Sequence, residues 1–260
     1  MGKIDRRRDK IISLFKTDSV LSIKALSETL KVSTMTVRRD LEYLAGQGIV
    51  QFYHGGAVVD PRFLEKDTGP NDYYLQQQAI LHREEKIRIA KKAVELLLPQ
   101  ETIMLDSGTS IFYLAREIPA NQNLTIICWS LNVMQELIQK TGNSILVQGG
   151  IFHPETQMCE SNLNVDIIKS SRASKAFISA GGFHSSLGIT SAFHYEVETK
   201  RAAIKSSMTS VLLIDSSKFG KVCSAHITEV RDFRIIITDS GIPPEYKEFI
   251  LNEGLELIIV

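Results

Sequence analysis

The sequence predicts an α/β chain in two parts: a small N-terminal helical module closed by a β-hairpin, and a larger C-terminal, Rossmann-like domain built on a mainly parallel sheet. Three observations predict it. Apolar residues recur at helical spacing through the first 46 positions and then give way to Ile49 to Val59, two short β-rich runs around His54-Gly55-Gly56. From Glu84 onward, short β-branched apolar runs alternate with helical patterns, the order that yields parallel strands covered on both faces. Between them, Asp60-Pro61 and Asp67 to Asp72 bracket a polar stretch poor in apolar positions. The expected division is a first domain over 1–59, a linker over 60–75 and a second domain over 76–260.

Composition narrows the class. With 260 residues, 43% hydrophobic and 23% charged, the chain is long enough to bury a sizeable core, which excludes disordered and collagen-like proteins. No apolar run approaches the ~20 residues that span a bilayer, and the basic start MGKIDRRRDK leads into an amphipathic pattern rather than a signal peptide. The expectation is a cytoplasmic protein with no membrane partner. Cys128, Cys159 and Cys223 lie far apart and lack Cys or His neighbours at zinc spacing, so they read as reduced thiols, and no metal or cofactor is expected. Zero net charge hides an asymmetry: residues 1–59 carry ten Lys/Arg against six acids, and the remainder carries twenty against twenty-four. The first part is the one suited to a polyanion.

Ile11, Ile12, Leu14 and Phe15 predict a first helix over about 5–16, interrupted by Thr17-Asp18-Ser19. Ser22 caps a second helix carrying Ile23, Leu26 and Leu30, and Ser33 a third carrying Val37, Leu41 and Leu44, with Lys31-Val32-Ser33 between them. Two short helices joined by such a turn match a helix-turn-helix. At ~100° per residue, Val37, Leu41 and Leu44 share one face of the third helix, while Met35, Arg38, Arg39 and Glu42 share the other. That face suits groove reading, with Thr34, Met35, Thr36 and Arg38 at base edges and Arg39 and the helix amino end on phosphate. The hairpin, Tyr53, His54 and Gly55 at its tip, forms a wing that reaches the backbone or minor groove. A three-helix protein-interaction module with surface arginines is the alternative.

The run Ser33-Thr34-Met35-Thr36-Val37-Arg38-Arg39-Asp40-Leu41, followed by Gly48 and His54-Gly55-Gly56-Ala57, resembles the winged helix-turn-helix signature of the DeoR family of bacterial transcriptional repressors. The resemblance implies that Thr36, Arg38 and Arg39 contact DNA. Asp40 is expected to orient an arginine or cap locally, because phosphate repels a carboxylate.

In the second part, helices are expected over 84–98, 110–118, 131–140, 162–171, 195–208 and 243–253. Strands are expected over 102–106, 124–129, 145–148, 175–180, 211–215, 234–239 and 255–260. Ligands bind beyond the carboxyl ends of parallel strands. There Asp106-Ser107-Gly108-Thr109-Ser110 offers N–H groups, hydroxyls and a helix dipole suited to phosphate, although a plain capped turn would read the same way. Gln148-Gly149-Gly150, Ala180-Gly181-Gly182 and Asp215-Ser216-Ser217-Lys218-Phe219-Gly220 also follow strands, and together they favour a polar, phosphorylated small ligand. Glu196 and Lys200 are either an ordinary i, i+4 surface pair or part of that site, where Lys200 and Lys218 neutralise phosphate while Glu196 or Asp106 accepts sugar hydroxyls.

Glu85-Lys86, Leu105 to Ser110, Gly149-Gly150, Glu196 to Arg201 and Asp215 to Gly220 resemble, in order, the DeoR-type sensor domain, which is itself like sugar-phosphate isomerases and deaminases. The resemblance implies an effector pocket at Asp106, Gly108, Thr109, Ser110, Lys200 and Lys218, and release of DNA on binding a phosphorylated sugar or related metabolite; Ser107, Gly149, Gly150 and Glu196 are expected to join it. Two places depart from the family pattern. Cys128-Trp129-Ser130 stands where Thr-Asn-Ser is usual, so the single tryptophan either stacks on an effector ring or fills the pocket, and Cys159-Glu160-Ser161 stands where a glycine is usual. The resemblance therefore does not carry the effector's identity.

The expected function is a DNA-binding repressor of a carbohydrate-utilisation operon, acting as a homo-oligomer (dimer or tetramer) on paired half-sites of double-stranded operator DNA. The competing reading is a sugar-phosphate isomerase or deaminase with an accessory N-terminal module. That chemistry needs an acid/base pair, for which only Asp106, Glu196 and Asp215 offer themselves, while His54, His153, His184, His194 and His226 lie in unrelated contexts.

Overall fold

The computed structural model describes residues 3–15, 20–46, 49–53, 56–59 and 75–260. The chain divides into two compact units, Met1–Asp72 with Gln76–Leu81, and Tyr73–Leu75 with His82–Val260. Most of the expected linker, together with Gly48, His54 and Gly55, lies outside the described residues.

In the first unit, α1 (Lys3–Phe15), α2 (Ile23–Leu30) and α3 (Thr34–Gly46) pack beside a sheet of order β1-β3-β2, formed by β1 (Val20–Ser22), β2 (Val50–Tyr53) and β3 (Gly56–Val59). The Ser22 hydroxyl caps α2 by accepting from the Ala25 N–H at 3.1 Å. Lys31, at φ 53°, ends α2 with its N–H on the Ser27 carbonyl, and this left-handed residue makes the tight turn into α3. Ile11, Phe15, Leu26, Val37, Leu41, Leu44, Val50 and Ala57 form the core, the large ones each contributing roughly 1.5–3 kcal/mol of burial. The strand β1 has no counterpart in the sequence reading: three residues are too short to show a period, and pairing with β3 is what makes them a strand.

In the second unit Leu75 is buried and donates its N–H to the Glu155 carbonyl at 2.9 Å; it opens α4 (Leu75–Ile80), whose residues from Gln76 onward belong to the first unit. Then follow α5 (Arg83–Val94), β4 (Thr102–Leu105), α6 (Thr109–Glu117), β5 (Thr125–Cys128), α7 (Leu131–Leu137), β6 (Ser144–Val147), β7 (Ile151–His153), β8 (Met158–Glu160), α8 (Asn162–Ser170), β9 (Ala173–Ser179), β10 (Gly182–His184) and β11 (Gly188–Ser191). The chain closes with α9 (Val197–Lys205), β12 (Ser207–Leu213), β13 (Ala225–Thr228), β14 (Ile235–Thr238), α10 (Pro244–Asn252) and β15 (Glu256–Ile259).

Seven strands form one parallel sheet of order β15-β14-β12-β9-β4-β5-β6. Its two faces carry separate apolar cores, one around Met104, Ile127, Ile178 and Leu212, the other around Ile103, Leu105, Phe177 and Leu213, as alternation along parallel strands requires. From β4 the chain first lays β5 and β6 on one side, then crosses to place β9 on the other. The direction of winding thus reverses between β4 and β9, which opens a crevice at their carboxyl ends.

Three sequence expectations need correction. The helix expected over 195–208 is a 3₁₀ turn, His194–Glu196, followed by α9, and Ser207 already belongs to β12. The helix expected over 84–98 ends at Val94. The antiparallel sheet β10-β11-β13 and the hairpin β7-β8 were not expected, because strands of three or four residues in glycine-rich stretches carry too little pattern to register.

Candidate functional site

Ser33 caps α3, accepting from the Thr36 N–H at 3.2 Å and lying 2.9 Å from the Thr36 hydroxyl. With Val37, Leu41 and Leu44 buried, Thr34, Met35, Arg38 and Arg39 are exposed on the opposite face. The Arg38 guanidinium lies 3.5 Å from Glu42 one turn on. Asp40 points inward: its carboxylate is buried and bridges Arg7 (2.5 Å and 3.2 Å) and Arg8 (3.1 Å) of α1. Arg8 also lies over the Tyr43 ring, 3.6 Å from its centroid. Asp40 therefore pins α1 to α3 and leaves Glu42 as the acid on the exposed face of α3. In the wing, Tyr53 pairs with Gly56 across β2 and β3.

At the mouth of the sheet, Asp106 follows β4 at the crevice and is wholly buried. Its carboxylate accepts from the Ser179 N–H at 2.9 Å, the Ser179 hydroxyl at 3.0 Å and the Lys200 ammonium. Glu196 accepts from the Ser191 hydroxyl and, at 3.4 Å, from Ser107. The surface-pair reading of Glu196 and Lys200 is thus overturned, since both are buried and Lys200 turns to Asp106. Burial works against the Lys200 ammonium, but Asp106 and Glu196 outweigh it and hold its pKa above the ordinary lysine value. Burial is also the main reason the Glu196 carboxyl is pushed up, with Lys200 acting against it.

Gly108 opens α6 at φ 103°, and a Cβ there would run into the Ser179 hydroxyl. Glycine is needed for this close approach between β4 and β9. Ser107, Thr109 and Ser110 line the same turn and are buried.

A second charged group lies one strand further along, beyond β12. Asp215 accepts from the Ser217 N–H at 3.1 Å and lies 3.7 Å from the ammonium of Lys86 on α5. Burial lowers the Lys86 pKa to about 8, with Lys218 adding to the effect and Asp215 opposing it. Burial would raise Asp215, but Lys86 and Lys218 prevail and hold it below the usual carboxylate value. Lys218 itself is half-buried in the 3₁₀ turn Ser216–Lys218.

Two of the expected residues lie apart from this crevice. Gly149 and Gly150 are exposed at the end of β6, and a Cβ on Gly150 would strike the Glu160 carbonyl of the neighbouring hairpin. Trp129 is fully buried among Met104, Ile127 and Met158, with no hydrogen-bond partner for its Nε1 among the described residues, so it offers no open stacking surface. Conversely, Ser179, Ser191 and Lys86 were not singled out as site residues. Ser179 ends a strand and Lys86 stands in the Glu85-Lys86 motif, so both carried a signal; Ser191 lies in the unexpected β11.

Two family models match the chain. The model for the DeoR-like helix-turn-helix domain matches residues 7–62, and that for the DeoR C-terminal sensor domain matches residues 81–240. The HTH-type transcriptional regulator GolR of Listeria innocua is 34% identical over 94% of this chain and 94% of its own. The lactose phosphotransferase system repressor of Staphylococcus epidermidis is 35% identical over 93% and 94%, and the glycerol-3-phosphate regulon repressor of Escherichia coli 28% over 98% of each. Ribose 5-phosphate isomerase A of Methanocaldococcus jannaschii aligns with 53% of this chain and 55% of its own at 16% identity and a TM-score of 0.39, a likeness that says nothing of activity. No helix among the described residues is long and apolar enough to cross a membrane. Two family domains in the expected order, and relatives similar over nearly the full length, make this chain a member of the DeoR family of helix-turn-helix transcriptional regulators.

Proposed function

We propose that the protein is a repressor of a carbohydrate-utilisation operon, working in the cytoplasm as a homo-oligomer and released from DNA by a small phosphorylated sugar. The observation that carries the DNA half is the division of α3 into a packed Val37–Leu41–Leu44 face and an exposed face bearing Arg38 and Arg39. In this reading Thr34, Met35, Thr36 and Arg38 approach base edges, Arg39 and the helix amino end at Ser33 meet phosphate, and Tyr53, His54 and Gly55 touch the flanking backbone or minor groove.

For the effector, Ser107, Gly108, Thr109 and Ser110 at the start of α6 cradle the phosphate together with Lys218, without Gly149 and Gly150. Asp106 and Glu196 accept sugar hydroxyls, held in place by Lys200. Trp129 fills volume under the pocket that a smaller side chain would leave to ligand. Because Asp106, Ser107, Glu196 and Lys200 are all buried, a ligand gains access only if the crevice opens. An effector that binds the open form preferentially has the differential affinity that coupling to DNA release requires.

Similarity to a lactose phosphotransferase system repressor and a glycerol-3-phosphate regulon repressor favours a sugar or sugar-phosphate signal. Binding without turnover fits a site where Asp106 and Glu196 are already engaged by Lys200 and three serines. The test is binding of the purified protein to the DNA upstream of its own gene and neighbouring genes at two salt concentrations, with and without a panel of sugar phosphates. Specific, salt-sensitive binding released by one compound is the expected result. Absence of specific binding together with turnover of a sugar phosphate overturns the reading in favour of an isomerase or deaminase.

A further inference from the structure

The chain enters the second unit for three residues before it enters for good. Tyr73–Leu75 belongs to that unit, whereas Asp72 before it and Gln76–Leu81 after it belong to the first. Leu75 is the foothold: it is 5% exposed, and its N–H donates to the Glu155 carbonyl in the turn of the β7-β8 hairpin. The next residue of that turn, Thr156, is 1% exposed, and its hydroxyl lies 3.0 Å from the Tyr195 hydroxyl. The Tyr195 ring stacks on His153 of β7, with centroids 3.7 Å apart and planes within 8°, and also on Phe193 at 5.1 Å. Glu160 of β8 lies 2.8 Å from His153 Nε2 and steadies that ring, which gives a task to one residue of the stretch that departs from the family pattern.

Tyr195 is followed directly by Glu196, whose carboxylate is held in the crevice by Ser191 and Ser107. Both residues sit in the 3₁₀ turn His194–Glu196, closed by the Glu196 N–H on the Phe193 carbonyl, and they share one planar peptide. A shift of Glu196 therefore carries Tyr195 with it. We propose that Tyr195 is a positioning residue that relays the state of the crevice, through Thr156 and Glu155, to Leu75 and so to the chain that leads into the first unit. This rests on the reading that a ligand opens the crevice, and it names the route by which that opening leaves the second unit. The far side of the hairpin turn is anchored, since the Leu131 N–H donates to the Gln157 carbonyl and the Cys159 N–H to the Trp129 carbonyl, both at 2.8 Å. With Gln157 and Cys159 held, movement of Tyr195 falls on Glu155 and Thr156, and the bond from Leu75 lengthens. Coupling of this kind needs contiguous packed groups with two arrangements, and each contact in this series is direct.

The experiment is native-state hydrogen exchange of the full chain, followed by mass spectrometry on overlapping peptides that resolve the Leu75 amide, in wild type, Ser191→Ala, Tyr195→Phe, the double variant and Thr156→Ser. Ser191→Ala loosens Glu196 at the crevice end without any ligand, and Tyr195→Phe removes the bond to Thr156 while keeping the ring stack. The expected result is exchange at Leu75 about fivefold faster in each of these single variants, the factor that one side-chain hydrogen bond supports, and no faster in the double. Thr156→Ser, which keeps the hydroxyl, exchanges as wild type. Ile236 in the sheet core is the reference, and unchanged exchange there excludes general loosening. Ser107→Ala, which removes the other hydroxyl on Glu196, repeats the test should Ser191→Ala raise exchange at Ile236. A Leu75 amide unchanged in the serine variant, or effects that multiply in the double variant, overturns the relay. A second arm adds the panel of sugar phosphates. A compound that binds wild type by calorimetry and leaves exchange at Leu75 unaltered also overturns it; one that binds Tyr195→Phe as tightly as wild type but releases less DNA supports it. If no sugar phosphate binds, the effector reading fails, and the ligand-free variants alone decide the relay.

Discussion

Arg38 and Arg39 stand in solvent on α3, whereas Lys86 and Lys200 beside the parallel sheet are 1% and 2% exposed. The cations carry the same formal charge under opposite conditions. An arginine meant for DNA must remain hydrated until it meets phosphate, and its worth lies in the complex. A buried lysine is committed in the free protein: removing its carboxylate leaves a charge in low dielectric, and removing the lysine leaves the carboxylate there. Substitution at the first kind of site should therefore alter binding and leave folding unchanged, and at the second should alter folding first.

The largest effect is expected from Lys200→Met. It leaves Asp106 and Glu196 buried without their shared cation, and breaking a buried pair from one side costs about 3–5 kcal/mol. Chemical denaturation of the purified variant reads this directly, and a loss below about 1 kcal/mol would show that the site is wetter than its burial implies. Arg38→Ala sharpens the contrast, because its side chain is 62% exposed. Thermal unfolding should be unchanged while operator affinity falls by about 1–3 kcal/mol and selectivity relaxes. Unchanged affinity would mean that α3 docks on DNA by another face. Lys218→Ala, in a half-buried turn, is expected to lie between the two: DNA binding intact, a modest stability change, and a higher effector concentration needed for release. Normal release in that variant would take Lys218 out of the pocket.

The same contrast explains what could be read from the sequence. The exposed face of α3 was legible because a helix with one apolar stripe leaves no choice about which side meets water, and the inward role of Asp40 followed from its charge, although the partners Arg7 and Arg8 did not. The mouth of the sheet was legible as a place, since strand ends mark it. The state of its charges was not. Spacing set Glu196 and Lys200 four apart, which fits a surface pair equally well. Only the packing of α9, with Val197, Thr199, Lys200, Ala202, Ala203 and Ile204 all buried, puts the lysine inside. Trp129 shows the same limit, because its position after β5 gives the strand end but not the core that closes over the indole.

The smallest predicted effect separates the two buried lysines from each other. Lys200, with two carboxylates and a raised pKa, favours the native state while protonated, so its contribution is fully present below the ordinary lysine pKa and is lost as pH rises through the raised native value. Lys86 behaves in the opposite sense. Its pKa falls from 10.5 to about 8, so between those values the unfolded chain binds a proton that the native chain has released, and stability rises with pH. The slope for one such group is at most about 1.4 kcal/mol per pH unit, and its coupling to Asp215 reduces it. Stability measured by denaturant from pH 8 to 10 in wild type and Lys86→Met isolates this contribution as the difference between the two slopes, since other groups titrate alike in both. The variant should show the flatter or more steeply falling profile. Parallel profiles would mean that Lys86 keeps its proton through this range and that its pairing with Asp215 outweighs its burial, as the two carboxylates do for Lys200.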